Sequence, residues 1–152
     1  MSRPLSRGTV KIGSADPLAD PLVDFGAITD PSDLDFLRAV YKKNRELMAT
    51  PEIAALGPIE TAPAAGLMSD AEIREAIRAA LQPTNAHECC TLPMMNRSIG
   101  GVVSPELKVY GTDRLSVVDA SIWPIIPWVG PQASVYGSAE KAADIIKKRH
   151  GI

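Results

Sequence analysis

Thirteen prolines and eleven glycines are spread along the 152 residues, and this punctuation limits how far any regular element can run. Proline lacks a backbone N–H and disfavours helical backbone in the residue before it, so it ends a helix or occupies its first position. Two windows that carry a helical pattern, 32–50 and 69–82, escape interruption altogether, and a third, 131–150, holds only Pro131 at its start and Gly137. Everything else must be short strands and turns, with no repeat and no low-complexity linker.

In "DPSDLDFLRAVYKKNRELMATP" the predicted helix starts with Ser32 as cap and Asp35 at the capping-box spacing, and Pro51 follows its end. Leu34, Leu37, Val40, Tyr41, Leu47 and Met48 form one apolar stripe, with Lys42, Lys43 and Arg45 facing elsewhere. Residues 51–68 read as a connector holding a short helical turn. A second helix starts at Ser69 with Glu72 completing a capping box, lines its inner face with Ile73, Ala76, Ile77, Ala80 and Leu81, and stops before Pro83. The last helix is predicted to have Gly130 as cap, Pro131 as first residue and Tyr136, Ala139, Ala143 and Ile146 inward. Lys147, Lys148 and Arg149 suit its negative C-terminal end before Gly151. Short strands are expected at Thr9 to Gly13 and near 101–103, 107–110 and 115–119. The class is α+β. A strand so near the first residue is what a segment of a larger protein predicts.

With 45% hydrophobic and 22% charged residues the chain reads as one folded domain. A net charge of −2 and 5% aromatic residues offer no basic surface for phosphates, so no nucleic-acid partner is expected. No run of about 18 apolar residues occurs, and "MSRPLSRGTVKIGSADP" has no signal-peptide core; neither a membrane nor a secretory route is predicted, and the localisation stays open.

The chemistry concentrates in "NAHECCTLPMM", where His87 precedes the adjacent Cys89 and Cys90 just past a helix end. Neighbouring cysteines close only a strained ring, so thiols rather than a disulfide framework are expected. A zinc site needs four ligands, and only the distant His150 could join these three, so no metal is predicted. A Cys/His nucleophile pair has the residue types without an identifiable orienting group, and a structural ring is equally compatible with a single histidine. The helix start "VGPQAS" offers unpaired N–H groups to an anion. Neither GxGxxG nor GxxxxGK[ST] occurs in these residues.

The order of His87 and "TLPMM", then "GGVVSPELKVYGTDRLSVVDASIWPIIP", then "PQASVYGSAEKAADII" resembles the C-terminal signature of the glucose-methanol-choline (GMC) flavin oxidoreductases, particularly the fungal members. Upstream, "SRGTVKIGSADPLADPLVD" and "DPSDLDFLRAV" resemble the substrate-domain stretch that precedes it, so nearly the whole chain is covered. The resemblance implies a partial GMC fold: an antiparallel substrate-domain sheet with packed helices, mostly within 1–118, plus a C-terminal strand and helix, 115–150, that return to the FAD domain. It implies FAD as cofactor and oxidation of a CH–OH group of a small-molecule alcohol, in sugars, aryl alcohols or intermediates of secondary metabolism. His87 would take the hydroxyl proton while hydride passes to flavin N5. Asp119 and Ala120 would lie against the cofactor, and Pro131 and Gln132 would set the last helix N-terminus at its pyrimidine side, where a helix dipole favours developing negative charge.

Three positions depart from the family. Gly130 stands where a second histidine or an asparagine is usual, and Glu88 and Cys90 stand where proline and glycine are common. The glycine-rich strand–turn–helix that would cradle the adenine and pyrophosphate is expected in an FAD-binding portion outside this chain, which is then a partner. The alternative reading is a non-catalytic remnant unable to bind FAD alone.

Overall fold

The computed structural model describes residues 1, 3–62 and 65–152. They separate into two units, Met1 with Arg3–Pro83, and Thr84–Ile152.

In the first unit, strand β1 (Thr9–Lys11) pairs antiparallel with β2 (Leu22–Asp24), with Val10 opposite Val23. β1 stops two residues short of the predicted Gly13. β2 was not legible in the sequence, because the three residues Leu22–Asp24 after Pro21 are too few to show a period of two. Both strands are exposed along their length, including Val10, Leu22 and Val23.

Helix α1 spans Pro31–Met48, followed by the short α2 (Pro51–Ala54), which fits the helical turn expected in the connector. The start differs from the Ser32 cap. Asp30 is the cap, its carboxylate accepting from the Ser32 N–H at 2.9 Å, and Pro31 takes the first helical position, where no donor is needed. Asp35 consequently makes no capping box and pairs with Arg38 and Arg74. Helix α3 (Asp70–Ala80) starts as predicted, with Ser69 and Glu72 closing both halves of a capping box. Pro63 and Ala64 of the 51–68 connector lie outside the described residues.

The core of this unit is the seam of α1 and α3: Leu34, Ile73 and Ile77 are buried, with Leu37, Tyr41 and Leu67 packed on them. Val40 and Leu47, assigned to the same stripe, are exposed, so the seam uses Leu34, Leu37 and Tyr41 and ends before the last turns of α1. Those turns are held by polar contacts. Arg45 binds Glu60 with Nε and Nη2, donates to the Leu67 carbonyl, and lies 4.5 Å above the Tyr41 ring.

Asp33, in the first turn of α1, is buried and accepts from the backbone N–H groups of Leu5 and Ser6, both at 2.8 Å, and from the Ser6 hydroxyl. Ser6 Oγ in turn accepts from the Asp30 N–H at 3.0 Å. These groups tie the N-terminal segment to the start of α1.

In the second unit the expected strands near 101–103, 107–110 and 115–119 are reduced to isolated bridges, Val103 with Met94 and Val109, and Lys108 with Ser116. Leu107, Gly111 and Arg114 take left-handed backbone with φ of 67°, 77° and 60°, so the chain curls every few residues before a ladder can extend. At Gly101 a Cβ would stand 2.0 Å from the Met95 carbonyl oxygen, an approach open only to glycine.

Helix α4 (Gln132–His150) ends on Gly151, left-handed at φ 73° as its position suggested. Pro131 occupies the cap and not the first turn, one residue from expectation. The buried face also differs from the predicted Tyr136, Ala139, Ala143 and Ile146. Ala142 and Ile145 meet the core of Val103, Leu107 and Ile122, whereas Tyr136 is 66% exposed. Two polar tethers set this rotation: Trp123 Nε1 donates to Ser138 Oγ at 3.0 Å, and Arg149 Nη1 to Ser116 Oγ at 3.1 Å. Ser138, Ala142, Ile145 and Arg149 are one stripe at helical spacing. Among the described residues no helix is long and apolar enough to cross a membrane.

Burial raises the Asp33 carboxyl pKa, but the Ser6 hydroxyl, the Leu5 and Ser6 N–H groups and the Arg7 charge together bring it below the usual carboxylate value. A lowered folded-state pKa means that the contribution is complete above about pH 4, the unfolded value, and is lost as pH falls through the folded one. Asp33→Asn should therefore cost roughly 2 kcal/mol at pH 7. In urea titrations the gap between native chain and variant should narrow at pH 2 to 3; an equal gap at both pH values would refute the charged role.

Candidate active site

The segment that carries His87 is fixed by its backbone. Alternate N–H groups of Cys90, Leu92 and Met94 donate to the carbonyls of Ala120, Ser121 and Ile122, at 3.2, 2.9 and 2.7 Å. The sequence "HECCTLPMM" is thereby laid along "ASI" of the segment that contains Asp119. Ile122 is buried in the core of this unit, so the rail to which the His87 loop is bonded is anchored.

His87 itself lies three residues before the first of these bonds and is exposed. The turn leading into it is held by Thr84, whose hydroxyl accepts from the Ala86 N–H at 3.1 Å and donates to the Glu88 carboxylate. Ala86 is left-handed at φ 56°, which turns the chain sharply just before His87. The Thr84 hydroxyl, the residue's own N–H and the nearby His87 hold the Glu88 carboxyl below its usual range. An anionic carboxylate therefore neighbours His87 at neutral pH.

Asp119 caps the single turn Ala120–Ile122, its carboxylate accepting from the Ser121 N–H at 2.7 Å. The Ala120 carbonyl accepts from Cys90 and also from the Trp123 N–H at 3.3 Å. Ser121 Oγ is buried and makes no hydrogen bond among the described residues. The Trp123 indole connects this turn to Ser138 of α4. Pro131 and Gln132 open that helix, which has no side-chain cap at its N-terminus. Gly130 precedes them with no atom within 4 Å of a Cβ built on it, and its φ is outside the left-handed range, so a side chain would fit.

Of the sequence-predicted residues, Ala120 is in the backbone ladder, Asp119 directly precedes it and His87 lies three residues before its first bond, while Pro131 and Gln132 belong to a helix tethered to the same turn. The carboxylate of Asp119 is directed to its own turn. Sequence reasoning missed Thr84, Trp123 and Ser138; a threonine two residues before a turn was the one local signal available for them. Among the described residues no cluster of three or more His, Cys, Asp or Glu side chains could hold a metal ion.

Comparison with known proteins gives a consistent result. A family model described as GMC oxidoreductase matches residues 4–139. The chain is 50% identical over 149 residues to the dehydrogenase xptC of Emericella nidulans, covering 98% of this chain and 24% of that protein. It is 40% identical over 146 residues to the GMC oxidoreductase family protein Mala s 12 of Malassezia sympodialis, covering 96% and 24%. Among solved structures, an FAD-dependent oxidoreductase from Chaetomium thermophilum superposes with a TM-score of 0.93 at 46% identity, over 99% of this chain and 26% of that one. A fungal aryl-alcohol oxidase gives 0.89 at 39%, over 99% and 25%. The chain spans about a quarter of the length of the curated relatives it matches.

Cys90 takes left-handed backbone at φ 72°, a conformation that favours glycine. Left-handed backbone costs an L-residue with a Cβ about 1–2 kcal/mol, against an entropic penalty for glycine of about 0.5–1 kcal/mol. Cys90→Gly and Cys90→Ala remove the same thiol and differ only at this backbone. Guanidinium denaturation should find the glycine variant more stable by roughly 0.5–1 kcal/mol, and the reverse order would refute the strain.

Proposed function

The chain belongs to the GMC oxidoreductase family, and from that premise we propose that it forms the C-terminal, substrate-side part of an FAD-dependent oxidoreductase acting on a CH–OH group. Residues 1–118 belong mostly to the substrate domain in this reading, and 115–150 return to the flavin-binding portion. The observation that carries it is the ladder from Cys90, Leu92 and Met94 onto Ala120–Ile122. It gives a histidine-bearing loop a fixed position relative to the turn that the family lays against its cofactor.

Bound FAD supplies the acceptor for the substrate's hydride. His87 accepts the substrate's hydroxyl proton, a task suited to an imidazole near neutrality. The uncapped α4 N-terminus at Pro131 and Gln132 would offer its unpaired N–H groups to an electron-rich ring edge, and the Ser121 hydroxyl, without a hydrogen bond among the described residues, is a further polar group that a bound ligand would satisfy. The residues present therefore fit the ring side of FAD. They do not include a glycine-rich cradle for its pyrophosphate.

The second reading, a polypeptide that holds no FAD and turns nothing over by itself, is favoured by the coverage of about a quarter of each relative. The two are compatible: the 152 residues alone are silent, and the base functions when the flavin-binding portion is supplied. Small-molecule alcohols, among them intermediates of secondary metabolism, are the proposed substrate class.

Purified alone and mixed with FAD, the chain should show no stoichiometric flavin absorbance after desalting; a yellow protein would overturn that. Grafted onto the remaining portion of the dehydrogenase xptC, it should retain flavin, and an alcohol panel should bleach it. His87→Ala in that chimera should slow bleaching by about 10²–10⁴-fold, and an unchanged rate would remove His87 as the base. Gly130→His, which the open space admits, should raise the rate by roughly tenfold or more if a second imidazole restores proton transfer. A flavin-loaded chimera inert to every alcohol would leave the remnant reading.

A further inference from the structure

Cys89 and Cys90 take no part in the proposed chemistry, yet their geometry is unusual. Both are half-buried thiols, and their Sγ atoms are in direct contact at 2.6 Å. Adjacent side chains normally diverge; here the left-handed Cys90 backbone, φ 72°, is accompanied by two sulfurs turned to the same side. The Cys90 N–H is engaged with the Ala120 carbonyl, so the ladder secures the residue in the conformation in which the pair meets.

We propose that Cys89 and Cys90 form a reversible redox-modification site, a vicinal dithiol that closes to a disulfide by exchange with a low-molecular-weight disulfide such as oxidised glutathione. One thiolate attacks the glutathione disulfide and releases one reduced glutathione. The neighbouring thiolate then attacks the protein-bound sulfur of the mixed disulfide and releases the second. The protein loses two protons and two electrons, and the glutathione disulfide gains them. Contact between the sulfurs makes the second step intramolecular and fast, so the mixed disulfide does not persist.

Closure is demanding in geometry. Neighbouring Cα atoms are about 3.8 Å apart, below the roughly 4.4–6.8 Å usual for a disulfide, so the ring is strained and readily reduced. Strained bonds belong to the labile, regulatory class rather than the structural one. The site is therefore open in reducing buffers and closed only when oxidised glutathione dominates. The proposal is independent of FAD and of the role assigned to His87, and its test has no activity readout.

The test uses the full 152-residue chain. It is equilibrated in glutathione buffers from fully reduced to fully oxidised, alkylated with iodoacetamide and weighed by intact mass spectrometry. The expected product at the oxidised end is a monomer two hydrogens lighter, carrying neither alkyl group nor glutathione, which reverts in reduced buffer. Cys89→Ser and Cys90→Ser, each with one remaining thiol, should instead accumulate a single glutathione adduct. Two alkylatable thiols at every ratio, persistent glutathione adducts on the native chain, or disulfide-linked dimers would each overturn the proposal. Phenylarsine oxide gives an independent measure of the pair, because two thiols and the arsenic oxygen condense to a cyclic dithioarsinite and water. The native chain should bind one equivalent, and each serine variant should bind at least about tenfold more weakly; equal binding by native chain and variants would count against paired thiols.

Discussion

The second unit depends on three backbone hydrogen bonds, those from Cys90, Leu92 and Met94 to Ala120, Ser121 and Ile122. Prolines and left-handed residues prevent this part of the chain from forming a sheet, yet its backbone groups need partners once they leave water. The ladder supplies them between two segments about thirty residues apart. It places Ile122 among Val103, Leu107 and Ala142, which gives α4 a surface to pack on. Trp123, next in the chain, holds the helix through Ser138. The loop with His87 therefore inherits its position from the same bonds that build the core.

The sequence showed most clearly what local chemistry decides. Ser69 and Glu72 lie three apart ahead of an apolar stripe, and the capping box forms where that spacing puts it. At α1 the cap is Asp30 rather than the expected Ser32, because Pro31 suits the first helical position. The rotation of α4 was not legible. Alanines and isoleucines occur on more than one of its faces, and contacts from Trp123 and Ser116, distant in sequence, select among them. The strands failed for a related reason: a strand-like stretch such as Leu107–Tyr110 carries no mark that its first residue will be left-handed.

For the candidate site the division is different. Residue types alone left His87 open among several roles, and Asp119, Ala120, Pro131 and Gln132 acquired meaning only through the GMC signature. Physical pattern could not reach them, because a site assembled by hydrogen bonds between separated turns has no periodicity. The structure adds the means of assembly: Thr84 shapes the approach to His87, and Asp119 spends its carboxylate on its own turn. At Cys90 the backbone takes a conformation that suits glycine although the residue carries a side chain.

The β1–β2 hairpin has a consequence for how these residues behave in solution. Among the described residues its strands pair only with each other, and Val10, Leu22 and Val23 are all more than half exposed. A two-stranded ribbon gains little stability by itself, and its outer edges present N–H and C=O groups to any extended chain nearby. The surface is remote in sequence from His87, so a charged residue on its exposed edge would act there without altering the loop chemistry.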